Sequence, residues 1–396
     1  MGATGQGWRD PACWKNNNCD FLRFFLAILV IFAHSFVLLS GTDSTEPLMI
    51  LTGQLPSGAL AVDGFFILSG LLVTSSLARS RGALDFLAKR ARRIYPGFAV
   101  AVLFGAVIVG PLAARDPHIP FQPGELARMA RGIITLSGDF QTYAFVDNPL
   151  ARTVNGSLWS ISYEAWCYVG VLLLGLAGWL ERRVVLAIFT FAIAVSLVFA
   201  VKNPALGVGF LGRIFGWPEN WARLLPFYLS GVIFYLYRES LPYSGRLAAA
   251  SALTLVVGAV VPHGLVVALP TAGAYLLFWL AFHPRPTLHG WARGGDFSYG
   301  VYLYAFPIQQ LLVAFFRPRL QPLLLFAIAT PLAIAAGMAS WHLVEKRFLV
   351  RARGQGEARV PPPAAWPPAV ARGRGSSSGN PDPAGNASHA NDTVPG

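Results

Sequence analysis

Long apolar runs separated by short polar breaks dominate the chain. A helix must keep roughly 20 residues apolar to cross a hydrocarbon core about 30 Å thick. Residues 20–41, 58–78, 94–114, 157–178, 184–201, 222–237, 247–261, 265–282, 298–316 and 321–341 meet or nearly meet that demand. The breaks between them are too short for an independent soluble domain. The pattern therefore predicts an all-α integral membrane protein of about ten transmembrane helices. Residues 1–19 form a polar N-terminal segment, 20–348 the membrane domain, and 349–396 a tail rich in Pro, Gly, Ser and Ala that is expected to be disordered. The sixth and seventh runs are short, and Pro262-His263-Gly264 reads as a turn or as a re-entrant kink.

Charge orients this arrangement. Most of the 31 lysines and arginines fall in the N-terminal segment, at alternate breaks and in the tail, all on one side. The positive-inside rule then places both termini in the cytoplasm. No cleavable signal is expected, since the first apolar run is too long for one. Composition agrees, with 54% hydrophobic and only 13% charged residues. The net charge of +12 lies in short inter-helix loops, so its partner is the lipid bilayer and not nucleic acid. Cys13, Cys19 and Cys167 allow at most one disulfide and have no metal-ligand spacing, so no metal is expected. The longest outer loop, 115–156, holds an amphipathic stretch, Glu125 to Leu136, that reads as an interfacial helix on which a large acceptor could dock.

Candidate chemistry begins with Arg23 and His34 in the first span. Eleven residues apart, they share a helix face and stand about 16 Å apart along the axis. Ionisable side chains in hydrocarbon are costly unless they face a protein interior or a wet cavity, which marks the pair as functional. A snorkelling arginine and a histidine bonded to a neighbouring helix is the structural alternative. Asp63 lies in the second span within Asp63-Gly64-Phe65-Phe66, as a polar staple or a catalytic group. Arg90, Arg92 and Arg93 enter the third span, either as positive-inside charge or as a phosphate grip. Glu164 follows Leu158-Trp159-Ser160 in the fourth. Counting residues from the outer ends puts His34, Asp63 and Glu164 at one level, roughly 8 to 11 Å deep. A histidine beside a carboxylate is suited to deprotonating a hydroxyl. Glu345, Tyr302 and Tyr304 fall near the inner level of Arg23, and Glu345 is a candidate ion-pair partner for these arginines.

These residues resemble the membrane-bound acyltransferase family 3. The resemblance rests on Arg23-x10-His34, Asp63-Gly64-Phe65-Phe66-x-x-Ser69-Gly70, Arg90-x-x-Arg93-x-Tyr95-Pro96, Leu158-Trp159-Ser160-x-x-x-Glu164, Phe297-Ser298-Tyr299-Gly300-Val301-Tyr302-Leu303-Tyr304 and Glu345, in family order over residues 17 to 348. Two positions depart from the pattern: Ala305 where members often carry His, and Arg347 in place of the proline of a closing Glu-Lys-Pro. The extra periplasmic hydrolase-like domain of some members is not expected here.

The resemblance implies O-acylation of a cell-surface carbohydrate such as O-antigen, exopolysaccharide or lipo-oligosaccharide, with acetyl-CoA or another acyl-CoA as donor. Arg90, Arg93 and Arg23, with Tyr302 and Glu345 near them, are then expected to hold the donor at the inner side. His34 is expected to act as general base or as an acylated intermediate, with Glu164 or Asp63 orienting it. A transporter or flippase of a lipid-linked sugar or organic anion, and a succinyl-type transferase of the same fold, are the rival readings. Oligomeric state is not legible.

Overall fold

A computed structural model describes residues 7–349 except 10, 15, 139–142, 205–211, 213, 285–287, 289–290 and 292–294. The expected tail lies outside the described residues from position 350 onward. Among the described residues every extended element is helical: α1 (Cys19–Ser40), α2 (Ser57–Ala78), α3 (Ala83–Ala113), α4 (Pro123–Thr135), α5 (Trp159–Leu176), α6 (Arg182–Lys202), α7 (Pro218–Tyr237), α8 (Gly245–Val260), α9 (Gly264–Ala281), α10 (Ser298–Phe316) and α11 (Pro322–Leu349). Eight of them, all but α4, α7 and α8, are long and apolar enough to cross a membrane. The remaining two of the ten expected crossings correspond to α7, made polar by Glu219, Asn220 and Arg223, and to α8, which is only 16 residues long.

Local chemistry ends the helices where the sequence breaks. Gly41 closes α1 in the left-handed region at φ 81°, its N–H bonded to the Val37 carbonyl. Between α8 and α9, Pro262-His263-Gly264 is a tight turn, and a Cβ on Gly264 would come 2.6 Å from the Gly258 carbonyl oxygen. The helix α3 starts at Ala83, well before the apolar run, so Arg90 and Arg93 are carried on a rigid helix continuous with the span and not in the preceding loop.

The helices α1, α2, α7 and α10 form the centre of the bundle. Lipid tails are as apolar as leucine, so association in a membrane depends on close packing of small residues rather than on hydrophobic transfer. At the α2–α7 crossing a Cβ on Gly70 would lie 2.0 Å from the Tyr228 carbonyl oxygen, and one on Gly231 would lie 2.1 Å from that of Ile67. Gly300 and Gly337 make the corresponding approach between α10 and α11.

The longest connection between spans does not stay outside. Pro120 packs on Gly110 near the end of α3, whereas Tyr95, fifteen residues earlier on α3, donates to the Ile134 carbonyl at 3.0 Å. The amphipathic α4 thus runs back alongside α3 instead of lying flat at an interface, because Met129 and Ile133 pack on the core. The chain returns to the end of α3, where Phe145 N–H bonds the Ala113 carbonyl, and descends a second time along α10. In this second descent Asn148 donates to Gln310 Oε1 at 2.7 Å, Asn155 donates to the Leu303 carbonyl at 2.7 Å, and the Ser157 carbonyl accepts from Tyr302 at 2.8 Å. From Gln310 to Tyr302 is eight residues of helix, about 12 Å. Residues 148–157 are therefore a re-entrant strap, and α5 begins deep within the bundle.

At the opposite face, the N-terminal segment packs against the domain. Trp8 is buried with its ring edge-on to Phe234 and Tyr243, and its Nε1 donates to the Leu241 carbonyl.

Candidate active site

The site is framed by α1 and α10, which run side by side in the same direction. Arg23 pairs with Asp296 just before α10, and His34 meets the ring of Phe306 edge-on at 5.0 Å. Eleven residues on one element thus match ten on the other, carrying the frame from the face where α1 begins into the centre. Two cavities lie along it.

The first, of about 100 Å³, is lined by Arg23, Arg90, Arg93, Glu164, Ser69, Tyr168, Tyr299 and Tyr302, with Val62, Phe65 and Phe66 as its apolar wall. Arg23 and Arg93 both donate to Oδ2 of Asp296, whose Oδ1 accepts from Ser298 at 2.6 Å. Burial alone would raise the pKa of Asp296, but Arg23 and Arg93 outweigh it and hold the carboxyl well below the usual carboxylate range. Glu164 Oε1 accepts from Ser69 at 2.7 Å and from Tyr168 at 2.6 Å. Arg90 donates to Ser76 at 3.2 Å and lies over the Tyr168 ring, and its buried Nε has no hydrogen-bond partner among the described residues. Arg23 and Arg93 thus share one carboxylate, while Arg90 makes no direct ion pair among the described residues.

The second cavity, of about 150 Å³, is lined by His34, Asp43, Ser157, Trp159, Arg223 and Tyr302, with Val30, Ala33, Val37 and Val62. His34 Nδ1 and Ser157 Oγ are buried there without hydrogen-bond partners among the described residues. Arg223 on α7 donates 2.9 Å bonds to Asp63 Oδ1 and to the Ala59 carbonyl, joining α7 to α2. Asp43 stands at the mouth, where burial and the nearby Glu46 raise its pKa against the pull of Arg223.

Tyr302, together with Val62, forms the wall between the two. Its hydroxyl donates to the Ser157 carbonyl and is joined to Ser160 Oγ at 2.8 Å. The hydroxyl is committed to pinning the strap, so what Tyr302 offers to either cavity is its ring.

The expected single layer of His34, Asp63 and Glu164 is not found. Glu164 shares the first cavity with the arginines and lies away from His34, since the strap carries the start of α5 about 12 Å inward before Glu164 is reached. Asp63 reaches the second cavity only through Arg223, because the Arg223 guanidinium stands between its carboxylate and the cavity. Among the described residues Glu345 makes no direct ion pair with an arginine: Asp296 occupies Arg23 and Arg93, and Glu345, buried in a π-turn at Trp341–Glu345, accepts from Ser340 at 2.9 Å and acts on the arginines only through space. Arg23, Arg90 and Arg93 do come together as the spacing implied.

Sequence reasoning missed Asp296 and Arg223. Asp296 directly precedes the Phe297-to-Tyr304 motif. Arg223 is an arginine inside an apolar run, the same signal that singled out Arg23.

A polytopic helical protein that gathers four arginines, a histidine and several carboxylates around adjoining cavities is arranged for chemistry within the membrane. A family model described as an acyltransferase domain matches residues 16–342, and the chain belongs to that family, the membrane-bound acyltransferase family 3. It is 30% identical over 347 residues to the "O-acetyl transferase" of Shigella phage Sf6, covering 85% of this chain and 97% of that protein. It is 28% identical to "Nodulation protein 10" of Rhizobium leguminosarum bv. viciae, over 75% of this chain and 84% of the relative. A shorter match, 30% identical over 110 residues (28% of this chain and 29% of the relative), is to the "Exopolysaccharide production protein ExoZ" of Rhizobium meliloti (strain 1021). No solved structure matches the chain. The protein is an acyltransferase and a multi-pass membrane protein, which sets the transporter reading aside.

Proposed function

We propose that the protein transfers an acyl group, acetyl in the simplest case, from coenzyme A at the cytoplasmic face of a bacterial inner membrane to a hydroxyl of a cell-surface carbohydrate or its lipid-linked precursor. The observation that carries this reading is the shared wall: an arginine-lined cavity and a histidine-lined cavity meet at Tyr302. The relatives named for O-acetyl transfer and exopolysaccharide production support the reaction and the class of acceptor.

The first cavity fits the donor. Guanidinium groups form charge-assisted, often bidentate bonds with phosphate, and Arg90 has a buried donor to offer. Arg23 and Arg93, aligned by Asp296, complete the cationic mouth. About 16 Å of α1 separates Arg23 from His34, comparable to the reach of a pantetheine arm. Donor phosphates held by Arg90 would leave the thioester near Tyr302.

On the other side, His34 is the general base for the carbohydrate hydroxyl. Asp63 acts on it at one remove, by fixing Arg223 in the second cavity. Glu164 holds Ser69 and Tyr168 in the donor cavity and balances its arginines. Glu345, with Ser340, supports the same end of the bundle.

The test is transfer of label from radioactive acetyl-CoA into polysaccharide by inverted membrane vesicles. Wild-type vesicles should incorporate label, and His34→Ala, inserted at normal levels, should incorporate none. Near-normal incorporation by that variant would refute the role given to His34. Comparing the surface polysaccharide of wild-type and deletion strains by NMR would then identify the acceptor through its missing acetyl signal.

A further inference from the structure

We propose that Ser157 donates the hydrogen bond that stabilises the oxyanion formed during acyl transfer, an inference that rests on the acyl-thioester reading above. Ser157 is 2% exposed and lines the His34 cavity, and its buried hydroxyl has no hydrogen-bond partner among the described residues. A buried hydroxyl left unbonded keeps its full desolvation penalty. Such a group is retained where a ligand or a reacting atom supplies the missing bond.

Its position is tightly determined. The Ser157 amide is bonded to Asn155 Oδ1 at 3.2 Å, and its carbonyl accepts from Tyr302, which lines both cavities. Asn155 is in turn tied to the Leu303 carbonyl on α10. A serine fixed at both ends of its peptide, on the wall through which donor and acceptor must meet, is preorganised for charge that develops there. Preorganisation of this kind is what makes a hydrogen-bond donor effective in a site that excludes water. Arg223 lines the same cavity with its Nη2 engaged by Asp63 and the Ala59 carbonyl, so its positive charge adds to the field in which the Ser157 hydroxyl acts.

The step balances as follows. The acceptor hydroxyl oxygen forms a bond to the acyl carbon while His34 takes its proton, and the carbonyl electron pair moves onto oxygen. The Ser157 O–H donates to that oxygen. Collapse restores the carbonyl, breaks the carbon–sulfur bond, and the departing thiolate receives the proton held by His34.

A group that acts only on the oxyanion lowers kcat and kcat/KM together and leaves donor binding unchanged. Ser157→Ala should reduce kcat about 100-fold or more, in the range seen for loss of one oxyanion donor. KM for acetyl-CoA and the Kd for coenzyme A, measured by calorimetry on purified protein, should stay within twofold of wild type. Ser157→Thr, which keeps the hydroxyl, should recover most of the loss, and Ser157→Cys, a weaker donor, should fall between. A kcat for Ser157→Ala within threefold of wild type would overturn the proposal, as would Ser157→Thr no better than alanine in a protein of normal melting temperature. Failure of the wild type itself to transfer label or to bind coenzyme A would overturn the donor reading, and this inference with it.

Discussion

Removing the Gln310 side chain should unhook the re-entrant strap from α10 and lower stability and turnover together. Gln310 is fully buried; its Nε2 donates to the Leu150 carbonyl at 2.9 Å and to that of Thr153 at 3.0 Å, while its Oε1 accepts from Asn148. In Gln310→Ala, Asn148 keeps its bond to the Gln310 main-chain carbonyl at 3.1 Å, so the two strap carbonyls are the groups left without partners. At about 1–3 kcal/mol for each unsatisfied carbonyl the cost spans roughly 2–6 kcal/mol. Leu150 and Thr153 are only half-buried, so water recovers part of it and the lower end, about 2–3 kcal/mol, is expected. With a shift of about 2–4 °C per kcal/mol for domains approaching this size, the melting temperature should fall by roughly 4–12 °C. Unfolding in detergent is commonly irreversible, so variant and wild type are to be compared at one scan rate. The strap also sets where α5 begins, hence where Ser157, Ser160 and Glu164 stand. Turnover per folded molecule should therefore fall at least tenfold at a temperature where the variant remains folded. Asn155→Ala, which frees the other end of the strap, should behave alike. A Gln310→Ala protein with wild-type melting, or with reduced melting but unchanged kcat, would refute the argument that the strap positions the site.

Three further outcomes test other links. Gly231→Ala places a Cβ 2.1 Å from the Ile67 carbonyl, so α2 and α7 must part by about 1 Å at an overpacking cost of about 1–3 kcal/mol; a melting curve matching wild type would argue against that crossing. Arg90→Ala should weaken coenzyme A binding about 10- to 100-fold, the loss expected for a hydrogen bond to a charged group, and an unchanged Kd by calorimetry would remove Arg90 from the donor site. Asp296→Asn should lower the melting temperature by an amount that is constant from pH 8 to pH 5. The folded pKa of Asp296 is depressed, so its contribution is fully present above the ordinary aspartate value of 3.8 and is lost only as pH falls through the folded value. A penalty that disappears by pH 5 would contradict the pairing with Arg23 and Arg93.

Residue order by itself determined the class of the molecule, its helices and the motif residues, because those properties are local. Twenty apolar residues must form a helix to satisfy their backbone in lipid, and an arginine or histidine inside such a run marks a polar interior wherever the helix packs. Arg23, Arg90 and Arg93 could be grouped because each stands near the end of a span that starts at the same face. Depth along the other spans was not local. Glu164 was assigned to the level of His34 by counting from an assumed outer end. The hydrogen bonds of Asn148, Asn155 and Gln310 draw that end inward, and no residue near Glu164 reports a bond made to a helix about 150 positions away. The pairing of carboxylates was likewise a tertiary decision: Asp63 with Arg223 and Asp296 with two arginines are choices among charges of equal chemical merit, settled by which helices touch. Composition and spacing are properties of one segment, whereas a cavity exists only between segments, and only packing could divide these residues between two cavities meeting at Tyr302.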